Sequence, residues 1–154
     1  MDGNTFEGEM EREAEAAEMR ISKYFDDLAN PEVNEEKAIG IEMQIEDELL
    51  DPRKEQMRVQ SLERLYDVIE KRKNDQLLAL HIVITISEIL PMIKDDTVRA
   101  GYVQKLYALI GAGEQNVSIY AHQYYLRILN SINDRSLREE AINKLLQQRG
   151  NADA

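Results

Sequence analysis

Apolar residues recur along this chain at steps of three and four, the spacing that places them on one face of a helix. The first stripe takes Phe6, Met10, Ala14, Ala17, Ile21, Tyr24 and Leu28. Asn30 and Pro31 end it, because the residue before a proline avoids helical backbone. Ahead of Phe6 the chain is expected to fray. A second helix is predicted from Asn34 to Leu50, with Asn34 as its cap, Glu35 and Glu36 in its first turn, and a stripe of Ala38, Ile41, Ile45 and Leu49. Asp51 followed by Pro52 predicts a third start, and this helix carries Met57 or Val59, Leu62, Leu65, Tyr66 and Ile69 before fraying at Lys71–Asn74. Asp75 is the expected cap of a fourth helix through about Leu90, and Asp96 of a fifth that closes at Gly111 and Gly113. A sixth covers 115–132, and a seventh starts at Asn133 and Asp134 and ends near Gly150. No alternating β-branched run or hairpin turn competes with this pattern.

The pattern repeats. Sliding the chain by 39 residues superposes Asp95 on Asp134, Val98 on Leu137, Arg99 on Arg138, Val103 on Ile142, Lys105 on Lys144 and Leu106 on Leu145 without a gap. Sliding it by 41 superposes Met57 and Arg58 on Val98 and Arg99, Leu62 on Val103, Arg64 on Lys105, and Leu65 and Tyr66 on Leu106 and Tyr107. Two amphipathic helices match by chance at apolar steps, but less readily at a shared arginine, a shared base and a shared preceding acid.

With those residues the chain resembles HEAT repeats, which stack helix pairs of about forty residues. Asp134, Leu137, Arg138, Ala141 and Leu145 follow the motif of the family's second helix closely. Asp95, Val98, Arg99 and Leu106 follow it with Tyr102 at the alanine position. Glu55, Met57, Arg58, Ser61 and Leu65 form the weakest copy. The resemblance covers about 34–148 and omits the first helix. It implies an all-α fold, a short α-solenoid of about three HEAT-like helix pairs (33–148); outside it the residues read as an acidic N-terminal helix (1–32) placed to cap the stack and a disordered tail at 149–154. It also implies structural roles, in a ladder between adjacent repeats, for Asp95, Arg99, Asp134 and Arg138, and for Glu55 and Arg58. Amphipathic helices that cannot bury their stripes alone reach the same architecture by stacking; a helical bundle is the competing arrangement.

Charge changes the picture next. The formal net charge is −11 over 154 residues, and it is unevenly placed. Residues 1–51 hold 17 acidic and four basic side chains; the remainder is close to neutral. An acidic chain makes a poor nucleic-acid binder, since phosphate contacts need a basic field. One local exception is Arg53, Lys54, Arg58, Arg64, Lys71, Arg72 and Lys73, which lie within 21 residues among four acids. A salt-bridged helix face accounts for that ridge first, and a basic surface for nucleic acid second. The absence of an apolar run near 18 residues or of an apolar N-terminal stretch predicts neither membrane span nor signal peptide. With no cysteine, thiol chemistry is excluded and a reducing, cytoplasmic setting is expected.

Catalytic constellations are missing. His81 and His122 have no carboxylate or second histidine at helical ligand spacing, and His81 reads as a partly buried residue among Leu80 and Ile82. Glu42, Glu46 and Asp47 share a helix face and are read as solvated, because general acid–base work would need one of them desolvated. No catalytic residue, metal ligand or cofactor is therefore expected.

The expected function is a non-catalytic protein–protein interaction module: an adaptor, scaffold or regulatory subunit with an unidentified protein partner. The alternative is a nucleic-acid-associated protein using the ridge at 53–73. In solenoids the second helices commonly line the concave face, which makes Arg58, Arg64, Tyr66, Lys105 and Tyr107 partner-binding candidates. Tyr124 and Tyr125 join them, because adjacent residues on a helix cannot both face the core. Six of the nine aromatic residues lie between 66 and 125, where inter-helix core is the first reading and an interface the second. Self-association through the N-terminal helix is a further expectation.

Overall fold

The computed structural model describes residues 3–51, 54–102, 105, 129 and 132–153, and for 3–7, 144–146 and 148–153 the backbone alone. Four helices open the chain: α1 (Gly3–Ala29), α2 (Glu35–Leu49), α3 (Glu55–Lys71) and α4 (Gln76–Ile89). A 3-10 turn at Leu90–Met92 follows, then helical backbone over 96–102, and a last helix at Arg135–Asp153. Among the described residues the chain is all-helical and has no strand.

Cap chemistry explains where these helices begin. Asn34 sits in extended backbone and its side chain accepts from Lys37 N at 2.8 Å, as expected of a cap. Asp134 does the same for Leu137 N at 3.0 Å. Three starts differ from the sequence reading. α3 begins at Glu55 with Lys54 at its cap position, after a bond from Lys54 N to Asp51 O, and the residues next to Asp51 in the expected start, 52 and 53, lie outside the described residues. Asp75 stands at the cap position of α4 but makes no capping bond, because its carboxylate pairs with Arg72 at 2.7 Å. Asp95 rather than Asp96 accepts from Thr97 N and Val98 N, at 2.8 and 3.2 Å. At the other end of the chain the last helix passes Gly150 and takes in the segment read as a tail, up to Asp153.

One continuous core joins the helices. It is built from Ala17, Ile21, Phe25 and Leu28 of α1, Ala38, Ile45 and Leu49 of α2, Leu62 and Leu65 of α3, and Leu78, Ile82 and Ile86 of α4. α2 packs against α1 on one side and α4 on the other, and α3 packs against α4 and α1. Each large aliphatic or aromatic side chain in this set contributes about 1.5–3 kcal/mol by leaving water.

The α1 stripe is only partly used. Burial begins at Ala17, whereas 9–15 are exposed throughout and Met10 is half exposed. The helix has 27 residues, about 40 Å at 1.5 Å per residue, against 15 residues for α2, so its first turns run past the packed body. Phe25 is buried and its neighbour Tyr24 only half so, the reverse of the expected stripe position.

Candidate interaction surface

α3 is the element on which the expected interface residues meet. On one flank lies α1. The Arg64 guanidinium carbon sits 4.6 Å above the Phe25 ring, and a terminal nitrogen lies 3.4 Å from Asp26 Oδ1. Arg64 divides the α1–α3 furrow into two concavities of about 130 Å³ each. Phe25, Leu28, Pro31, Val68 and Lys71 line one; Glu18, Ile21, Met57 and Gln60 line the other.

On the other flank lies the helical backbone from 96 onwards. The Tyr66 and Tyr102 rings are parallel within 8°, with centroids 6.2 Å apart. The Tyr66 hydroxyl donates to Tyr102 O at 2.9 Å, and the Tyr102 hydroxyl donates to Val59 O at 3.3 Å. Lys105 lies over both rings, 5.8 Å from the Tyr66 centroid and 5.4 Å from that of Tyr102, and is bonded to Glu63. Burial pushes both phenols up from their ordinary value, so each stays a hydrogen-bond donor at any physiological pH.

Tyr66 and Lys105 thus come together, while Arg64 faces the opposite neighbour. Arg58 does not belong to this surface. It is 3% exposed, and its guanidinium donates to Leu49 O at 3.0 Å and Asp51 O at 2.8 Å, closing the end of α2. A polar group that far inside needs such partners, which makes Arg58 structural. Tyr107, Tyr124, Tyr125 and His122 lie outside the described residues.

The expected ladder positions are distributed differently from the family pattern. Arg138 repeats the Arg58 contact, donating to Ile132 O at 3.4 Å, just ahead of the last helix. Arg99 is buried and paired with Asp96. The contact that spans between successive helices is made by Asp96, whose carboxylate accepts from Asp134 N at 2.7 Å and Asn133 N at 3.4 Å. Asp95, which the motif singles out, is occupied as a cap.

The basic ridge is largely engaged within the molecule. Lys54 pairs with Glu48 and Asp51, and Arg64 with Asp26. Arg72 pairs with Asp75 and also donates to Leu28 O at 3.1 Å and Val33 O at 2.6 Å, tying the loop after α1 to the end of α3. Arg53 lies outside the described residues.

One residue overturns its expectation outright. Glu42, read as part of a solvated acidic face, is 0% exposed and packed between α2 and α4. Thr85 Oγ1 contacts Glu42 Oε1, and lies 2.9 Å from Glu46 Oε2 and 3.0 Å from His81 O. Burial raises the Glu42 carboxyl to about 8; Glu46 and Glu88 push the same way, and the Thr85 bond opposes them. The sequence held one signal for this. Glu42 follows Ala38 by four and precedes Ile45 by three, which puts it on the buried stripe.

Among the described residues no three His, Cys, Asp or Glu side chains converge as a metal site, and no helix is long and apolar enough to cross a membrane. No protein-family model, no curated protein and no solved structure matches this chain.

Proposed function

We propose that this chain is a non-catalytic protein–protein interaction module, an adaptor, scaffold or regulatory subunit, built as a short solenoid of HEAT-like helix pairs. Support for the repeat comes from the spacing of contacts between helices. Asp26 meets Arg64, Glu42 meets Thr85, Glu63 meets Lys105, Tyr66 meets Tyr102, and Asp96 meets Asp134, at separations of 36 to 43 residues. One helix pair per forty residues produces that period. In this reading α2 and α4 are first helices lying side by side, α1, α3 and the helix from 96 are their neighbours in a second row, and α1 covers the open edge of the first pair. A cysteine-free chain suits a cytoplasmic setting.

The single observation that carries the function is the row of charged groups along α3 with half-buried tyrosines beneath it: Asp26 with Arg64 on one flank, and Glu63 with Lys105 over Tyr66 and Tyr102 on the other. Such a strip, with amphipathic tyrosines and a furrow on one side, is what a partner's side chains engage. The engaged cations of the 53–73 ridge count against nucleic acid, which needs them free.

The experiment is affinity capture with the intact chain and with an Arg64→Glu, Lys105→Glu double variant, both checked for unchanged helicity. A defined protein retained by the first and lost by the second is the expected result. Recovery of no protein, or of the same protein by both, overturns the reading. Molar-mass measurement of the same chain tests self-association through α1.

A further inference from the structure

We propose that Glu42 and Thr85 form a proton-operated latch between α2 and α4, closed while the Glu42 carboxyl is neutral and loosened when its proton is lost. The Thr85 hydroxyl has one proton and stands against three oxygens: Glu42 Oε1, Glu46 Oε2 and His81 O. With both carboxyls ionised it serves one of the three, and the others are left lone pair against lone pair. A single added proton on a carboxyl satisfies both carboxyl contacts and leaves only His81 O unserved by Thr85. The Glu42 acid then donates to Thr85 Oγ1, and Thr85 donates onward to Glu46.

Burial decides which carboxyl holds that proton. Glu42 is fully enclosed, and its second oxygen has no hydrogen-bond partner, whereas Glu46 reaches the surface. Among the described residues the charged groups that face Glu42 are Glu46 from α2 and Glu88 from α4, both acids, and neither α1 nor α3 brings a cation to it. Arg20 of α1 is held by Glu13 and Glu48, Lys54 by Glu48 and Asp51, and Arg64 of α3 by Asp26. A buried carboxylate without a countercharge is unfavourable, so ionisation and separation of the two helices are coupled.

The sign follows from linkage. The folded carboxyl is raised from 4.5 to about 8, so between those values the folded chain binds one more proton than the unfolded chain. The stabilisation is complete below the lower value and is lost as pH rises through the upper one, at up to about tenfold in the folding equilibrium per pH unit.

The cysteine-free chain makes the test direct. Gly40 on α2 has open space where a side chain would go, and Leu77 on α4 is exposed, so Gly40→Cys and Leu77→Cys carry spin labels on either side of the contact. The label–label distance is expected to be sharp at pH 6 and to lengthen or broaden at pH 9, together with a fall in melting temperature. The same labelled chain with Glu42→Gln, whose amide donates to Thr85 without a titrating proton, is expected to show neither change. Carboxyl-carbon NMR of the unsubstituted chain keeps the test open if that variant does not fold, and places the Glu42 midpoint near 8. A midpoint in the ordinary carboxylate range near about 4.3, flat distances and melting across pH 6–9, or the same fall in the Glu42→Gln chain each overturn the latch.

Discussion

The Tyr66 hydroxyl donates to the backbone carbonyl of Tyr102, 36 residues further on, while the two rings lie parallel. This bond joins α3 to the helical backbone from 96, and it lies under a lysine held by α3 itself. Replacing Tyr66 with Phe keeps the ring and removes the donor, leaving the Tyr102 carbonyl without its partner. A loss of about 1–3 kcal/mol in urea unfolding is expected. Tyr102→Phe removes a longer bond to Val59 O, at 3.3 Å, together with the hydroxyl's contact with Glu63, and is expected to cost less, about 0.5–1.5 kcal/mol. Equal costs for the two variants would mean that ring packing, not the hydrogen bond, holds these helices together.

Arg58 should behave as an internal strut. Its guanidinium closes two carbonyls at the end of α2, and Arg58→Ala removes the donor from the buried Leu49 carbonyl and leaves Asp51 O with Lys54 N alone. The expected cost is about 2–4 kcal/mol. Arg58→Lys restores one donor at best, because an ammonium lacks the planar fork, so it should recover less than half. Arg138→Ala, which gives up one longer and less buried bond, should fall well below Arg58→Ala. Thermal unfolding of the three variants ranks them.

These two residues also mark how far the fold was legible in the sequence. Helix existence followed from apolar spacing, and the repeat followed from the recurrence of an acid, an arginine and a base. Arg58 carried both signals, yet its repeat position did not distinguish a surface ladder from a cap on the preceding helix. That distinction depends on where the chain's own carbonyls end. A cap shifted by one residue where two acids were adjacent, and a capping bond was lost where an arginine competed for the acid. Asp75 was drawn to Arg72, and Asp95 left Asp96 free to reach Asp134. Glu42 was hidden for a different reason. Its residue type argued for solvent, its position on the stripe argued for the core, and only the presence of Thr85 on the facing helix made the second arrangement tolerable.

The unequal use of α1 gives a third prediction. Residues 1–15 contribute no buried side chain among those described, so their removal should leave stability within about 0.5 kcal/mol. Removal of 1–30 instead strips Ala17, Ile21, Phe25 and Leu28 from the core, several residues each worth about 1.5–3 kcal/mol. That shorter chain should melt without cooperativity or associate through the uncovered faces of α2 and α3. Calorimetry and molar mass, measured side by side on the two truncations, separate a projecting helix from a covering one. Equivalent behaviour of the two would refute the division at Ala17.

Glu48 sets the acid limb of stability, opposite in sign to Glu42. Its carboxylate accepts from Arg20 Nε at 2.9 Å and a second Arg20 nitrogen at 3.3 Å, and it pairs with Lys54. The Arg20 bonds hold it below the ordinary carboxylate value, and Lys54 adds to the effect against partial burial. A carboxyl whose folded value is depressed stabilises the fold above its unfolded value, near 4.5, and that contribution is lost as pH falls through the lower folded value. Glu48→Gln should therefore be less stable than the parent chain at pH 6, with the gap closing as the solution is acidified and the parent loses the same interaction. Glu42→Gln should diverge from the parent in the other direction, matching it in acid and exceeding it above pH 8. Urea midpoints across pH 3–9 for the three chains read both limbs at once. A Glu48→Gln gap that persists undiminished in acid would show that shape, not charge, joins α1 to the end of α2.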